Sequence, residues 1–144
     1  MFSSACEIAI RAMIFIADKS VHGQRTNLRE VARGLNSPEA FTAKILQTLT
    51  KCGWIHSRKG PGGGFEANPK KISKVTLADI VEAIDGPGIF SHCVLGLETC
   101  SDTRPCPVHH KFLPLRNNLL SILQHTSLLD VSATLNLQKT FIRS

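Results

Sequence analysis

The chain has 144 residues, 42% hydrophobic and 19% charged, which is enough apolar material for a real core in one domain or one domain with an appended arm. That composition excludes wholesale disorder, and no run approaches the ~18 apolar residues needed to cross a bilayer. The net charge of +6 is unevenly spread, with 12 bases and 5 acids in residues 1–75 against 5 and 6 in residues 76–144. That is the charge footprint of a nucleic-acid-facing half joined to an assembly or sensor half, with a merely basic soluble protein as the bland alternative.

The first segment, MFSSACEIAIRAMIFIADKS, carries Glu7 and Arg11 inside its apolar stretch and lacks a basic region before it. It reads as a core helix of a cytoplasmic protein rather than a leader. Ile8, Ala12, Phe15 and Ile16 recur at helical spacing and predict a helix over residues 4–19. Asn27 with Glu30 forms a capping-box pattern ahead of a short second helix through Leu28, Val31, Ala32 and Leu35. Ser37 as N-cap and Pro38 in the first helical position open a third helix over residues 38–52, whose buried face is Phe41 or Thr42, Ile45, Leu46 and Leu49. Gly53 is placed to end it in the left-handed conformation. Two short helices joined by a tight turn make a helix-turn-helix pattern.

Residues 54–57 and 64–67 then predict two short strands around the tip Lys59, Gly60, Pro61, Gly62 and Gly63, with Arg58 beside it. A phosphate-cradling P-loop would end in Gly-Lys-Ser/Thr and open a helix, but here Phe65, Glu66 and Ala67 follow the glycines. A hairpin wing that touches DNA phosphates or a minor groove fits better. After a basic connection over residues 68–75, Thr76 with Asp79 repeats the capping box before a fourth helix through Leu77, Ile80, Val81 and Ile84, stopped by Gly86.

Residues 86–107 break every periodicity, a length of irregular chain that usually exists for a function. Val108, Phe112, Leu115, Leu119 and Ile122 follow at spacings of 4, 3, 4 and 3, a heptad-like seam suited to a homodimer interface, although the same stripe would also pack on the chain's own core. Pro114 should kink this helix, and Leu128, Leu129, Val131 and Leu135 predict a further short one. The fold class is mainly α with a small β-hairpin. The parts are a winged helix-turn-helix domain (1–75), a helix with a cysteine-bearing loop (76–106), and a dimerisation helix with its tail (107–144).

The chain has five cysteines, and Cys93, Cys100 and Cys106 share the irregular segment. Three thiols on one loop favour metal or redox chemistry over a disulfide frame. Thiolates hold iron-sulfur clusters and zinc, but zinc usually takes close CxxC knuckles, absent here. A Cys/His enzyme with His109 as base is the rival from another class. The basic helix-turn-helix half and the lack of an oxyanion-hole motif argue against it. Cys6 and Cys52, alone on helices, read as small buried apolar residues.

Over nearly its whole length the chain resembles the IscR/NsrR-type (Rrf2) bacterial regulators. The resemblance rests on EIAIRAMIFIA, SPEAFTAKILQTLTKCGWI, the wing RKGPGGGF, TLADIVEAIDG, and the cysteine triplet followed by CPVHH. The wing and the triplet in this order are specific, where a helix-turn-helix alone is not. The resemblance implies a homodimeric winged-helix transcription factor, a repressor by the commoner family behaviour, with an iron-sulfur cluster, 2Fe-2S or 4Fe-4S, held by Cys93, Cys100 and Cys106. It implies a fourth ligand at His109 or, as in members that use an acidic residue of the first helix, at Glu7; His92 and His110 stand as minor candidates. It also places Ser37, Ala40, Phe41, Thr42 and Lys44 at the recognition helix, with Arg58, Lys59 and Gly60 to Gly63 at the wing, on the double-stranded DNA of an approximately palindromic operator. The signal is left open among nitric oxide, oxygen, redox poise and iron status. A cluster-free regulator reading thiol oxidation, zinc or a partner protein through the same loop is the alternative.

Overall fold

The structure is a computed structural model describing residues 1–136; the end of the predicted tail, residues 137–144, lies outside the described residues. Helix α1 (Ser4–Val21) starts where Ser3 caps it by accepting from the Cys6 N–H, two residues longer at its far end than predicted. Short helix α2 (Leu28–Gly34) carries the complete Asn27–Glu30 capping box, which satisfies two backbone donors that no helical partner could reach. Helix α3 (Glu39–Lys51) begins one residue later than its sequence pattern implies: Pro38 occupies the cap position, and Ser37 does not cap. Gly53, at φ 74, ends the element as expected.

Strands β1 (Ile55–Arg58) and β2 (Gly64–Ala67) form an antiparallel hairpin in which Ile55 faces Ala67 and Arg58 faces Gly64. The first strand starts at Ile55 instead of Trp54. Helix α4 (Leu77–Asp85) has the full Thr76–Asp79 capping box and stops at Gly86, φ 79. The irregular segment after it contains a single 3-10 turn, Pro87–Phe90. Helix α5 (His109–Gln124) includes Pro114 without ending there, and α6 (Leu128–Asn136) closes the described chain.

Two apolar clusters hold these elements. The larger buries Met13 and Ile16 of α1, Val31 of α2, Leu46 and Leu49 of α3, Ile55, Ile80 and Leu128. Fully burying one such side chain stabilises the fold by roughly 1.5–3 kcal/mol, so this cluster fixes the helix-turn-helix against α1. The smaller cluster, Cys6, Ala78, Val81 and Leu123 with Ile89, Phe90 and Leu119 packed on it, joins the start of α1 to α4 and α5. Its residues from Ala78 to Phe90 precede the cysteine segment and Leu119 and Leu123 follow it, so the cluster brackets that segment. Among the described residues no helix is long and apolar enough to cross a membrane.

Candidate nucleic-acid interface and metal centre

The helix-turn-helix turns at Asn36, whose φ of 50 lies in the left-handed region that Asn tolerates better than most residues. On α3, burial separates the two candidates for the core face. Thr42 is buried, with Oγ1 2.9 Å from the Pro38 carbonyl and 3.0 Å from Ser37 Oγ, whereas Phe41 is exposed. That removes Thr42 from the DNA-facing set, because a side chain committed to the core has no path to a groove. Ala40, Phe41 and Lys44 are exposed and Ser37 is half-buried. Neither Ala40 nor Phe41 carries the paired polar atoms that a bidentate base contact would need.

The hairpin is built to present backbone. Gly60 and Gly62 have φ 87 and 71, a region that L side chains rarely adopt, and a Cβ on Gly63 would overlap the Arg58 carbonyl oxygen. Sequence reasoning missed the residue that braces it: Arg25 Nε pairs with Glu66 at 3.0 Å, and its Nη1 donates to the Gly62 carbonyl at 3.2 Å. Thr26 adds a two-way backbone bridge to Phe65, at 3.1 and 2.7 Å. Arg25 and Glu66 are 41 residues apart, so no local pattern could announce the pair. Arg58 is 3.8 Å from the same Glu66 but largely exposed, and Lys59 is exposed beside it.

In the cysteine segment the predicted donors come together. Cys93 Sγ is 3.7 Å from Cys106 Sγ, and Cys100 Sγ is 3.2 Å from His109 Nδ1. All four line one cavity of about 550 Å³. His109 is 4% exposed, and its Nε2 lies 2.8 Å from Asp102 Oδ1. A carboxylate only accepts, so Nε2–H is the donor and Nδ1 is the ring atom turned toward Cys100 Sγ. Asp102 is a second residue not singled out from the sequence, although its place between Cys100 and Cys106 was a usable signal. The third is Arg116, whose Nη1 donates to the Ser91 and His92 carbonyls at 3.3 and 2.9 Å and whose Nη2 donates to Cys100 Sγ at 3.5 Å.

The Cys93 thiol is pulled below its ordinary value, first by the Leu95 backbone N–H, with the Leu97 N–H, Cys106 and the Arg116 charge adding to it against burial. Cys6 behaves oppositely: burial first, then Asp85 and Glu7, push it up to about 12, as suits an inert core thiol. Cys52 is only half-buried, so the expectation of a buried apolar residue holds for Cys6 but not for Cys52. His92 also lines the cavity, whereas His110 is exposed and stacks edge-on against His109. Glu7 is exposed in the first turn of α1.

Among the described residues no group of three or more His, Cys, Asp or Glu gathers around one point as a single metal ion would require. The donors stand instead as two pairs around one cavity. Two thiolates bound at about 2.3 Å to one tetrahedral metal lie about 3.7–3.8 Å apart, so the Cys93–Cys106 spacing suits one metal atom of a larger group. Three thiols and one imidazole around one cavity, with no single point where they all meet, fit an iron-sulfur cluster better than isolated zinc.

The predicted interface stripe divides. Val108 caps α5 and Leu119 packs on the smaller core cluster, whereas Phe112, Leu115 and Ile122 are 43, 62 and 55% exposed. Val94, Leu95 and Leu97 of the cysteine segment are exposed as well.

Residues 2–134 match the model of the Rrf2 family, described as an iron-dependent transcriptional regulator. An HTH-type transcriptional regulator of Aquifex aeolicus is 30% identical over 133 residues, covering 91% of this chain and 90% of that one. IscR of Photorhabdus laumondii is 26% identical over 120 residues, covering 83% and 71%. Among solved structures, CymR, the global cysteine regulator of B. subtilis, superposes with a TM-score of 0.74 at 21% identity, covering 92% of this chain and 96% of CymR. IscR of T. potens superposes with a TM-score of 0.71 at 15% identity, covering 99% and 93%. These structural likenesses show the winged-helix fold.

Proposed function

Because the chain belongs to the Rrf2 family of transcriptional regulators, and is therefore a DNA-binding regulator rather than an enzyme, we propose that it acts as a homodimeric repressor. Its affinity for an approximately palindromic operator is set by an iron-sulfur cluster at Cys93, Cys100, Cys106 and His109. The observation that carries this reading is the convergence of three thiols and one oriented imidazole on a single cavity. Bound there, a cluster supplies a redox-active, oxidant-sensitive centre. The protein's part is to present soft donors, hold the His109 ring with Nδ1 turned toward Cys100, and connect the loop to the reading heads.

In this reading residues 1–75 bind DNA, residues 76–106 hold the cluster, and residues 107–144 are the dimerisation helix and its tail. Ser37, Ala40, Phe41 and Lys44 face the major groove, while Arg58, Lys59 and the Gly60–Gly63 backbone meet phosphates. Phosphate contacts supply affinity, and the sparse base-reading face leaves part of the specificity to DNA shape. The loop lies in sequence between α4 and α5. A ligand that fits one arrangement of those helices better than another shifts the spacing of two recognition helices by its differential affinity.

The 3.7 Å separation of Cys93 and Cys106 also favours a second reading, in which the same thiols sense oxidation without a cluster. Selection from a random-sequence duplex DNA library tests the first. Anaerobically loaded protein should enrich an approximately palindromic sequence and bind it about tenfold or more differently from cluster-free protein and from Cys93→Ala. Equal affinity and equal sequence preference in all three would contradict it.

A further inference from the structure

Arg116 lies seven residues after His109, hence on the same face of α5, and reaches back across the cysteine segment. One nitrogen holds the Ser91 and His92 carbonyls, and another donates to Cys100 Sγ. Its Nε is buried with no hydrogen-bond acceptor among the described residues, and the side chain lines the cavity that the thiols and His109 share.

A strap that only tied down the loop would need the two carbonyls and nothing more. The bond to a ligand sulfur, and a buried donor left to be completed from the cavity, point further. Arginine suits this place because its charge is permanent and its donors form a fixed fork. We infer that Arg116 is a positioning residue that ties the cysteine loop to α5 and sets the reduction potential of the group bound there.

This rests on the cluster reading above. Three thiolates make the site negative, and reduction by one electron adds a further negative charge. A guanidinium hydrogen-bonded to one ligand sulfur stabilises the reduced form more than the oxidised one, and so raises the midpoint potential. A merely structural strap would leave the potential where it is.

The test is an anaerobic spectroelectrochemical titration of reconstituted wild type, Arg116→Lys and Arg116→Gln. Wild-type iron, sulfide and visible absorbance are measured first, so a wild type that takes up no cluster overturns the parent reading before any variant is compared. With the cluster present, the expected order of midpoint potential is Arg above Lys above Gln. The Gln variant should be displaced by at least tenfold in the equilibrium constant for reduction, about 59 mV for one electron. A loaded Gln variant within about twofold of wild type overturns the inference. If the Gln variant fails to fold or load, the Lys variant decides: its ammonium keeps the charge but loses the fork, and a potential indistinguishable from wild type overturns the inference equally.

Discussion

Asp102 shows how an exposed side chain acquires a task from its neighbour. Its carboxylate is 85% exposed, yet it fixes the tautomer of an imidazole that is almost wholly buried. Carboxylates that hold a ligating imidazole by its other ring nitrogen typically change metal retention by about 10–100-fold. Asp102→Ala should therefore shorten cluster lifetime in the presence of a chelator by about tenfold, His109→Ala by more, and Glu7→Ala not at all, followed as loss of visible absorbance. A cluster unaffected by His109→Ala and lost with Glu7→Ala would transfer the fourth-ligand role to α1. That the three cysteines share one segment was legible in the sequence, whereas His109 was indicated only by the resemblance to the Rrf2 regulators. Arg25 and Arg116 were not legible, because an arginine's reach is set by folding. Seven-residue spacing does place Arg116 on the face of His109, but says nothing of the loop it clasps. Glu30 illustrates a local device that was fully legible. The Asn27 backbone N–H and the Thr26 hydroxyl hold its carboxyl below the ordinary 4.5. A folded-state value below the unfolded one gives a contribution that is complete above pH 4.5 and lost as pH falls through the lowered value. Thermal melts should show wild type losing more stability than Glu30→Gln on acidification through that range; parallel losses would contradict the assignment.

At the scale of elements, the helices were readable because capping boxes and periodicity are local. Both predicted boxes, Asn27–Glu30 and Thr76–Asp79, are present. The one-residue displacements at Ser37 and Trp54 reflect ends decided by tertiary packing. The α5 stripe was half legible: its spacing revealed an apolar face but not that Leu119 belongs to the chain's own core. In the proposed homodimer, the exposed part of this stripe that would meet a second copy is Phe112, Leu115 and Ile122. Phe112→Asp with Leu115→Asp should yield a folded monomer in sedimentation, since charge in a dehydrated apolar contact is costly. A dimer that survives both changes places the interface elsewhere. The wing predicts differently. Arg58→Glu with Lys59→Glu should weaken binding to all duplexes and reduce the dependence of log affinity on log salt by about one unit or more per lost phosphate contact. An unchanged salt slope would take the wing out of the DNA contact.

At the scale of the whole molecule, the two apolar clusters divide the labour. The larger fastens the helix-turn-helix and wing to α1, and the smaller joins α1, α4 and α5 around the ends of the cysteine segment. Ser3 reinforces that joint: its N–H donates to Asp85 Oδ2 at 3.0 Å, linking the start of α1 to the end of α4. Helix α1 thus contributes to both clusters. The measurement that bears most directly on the account is iron and acid-labile sulfide per chain in anaerobically purified protein. About two iron and two sulfide, or four of each, should be found with visible absorbance in wild type and lost when Cys93, Cys100 or Cys106 is changed to Ala. Colourless wild-type protein that holds zinc or no metal after anaerobic reconstitution would contradict it.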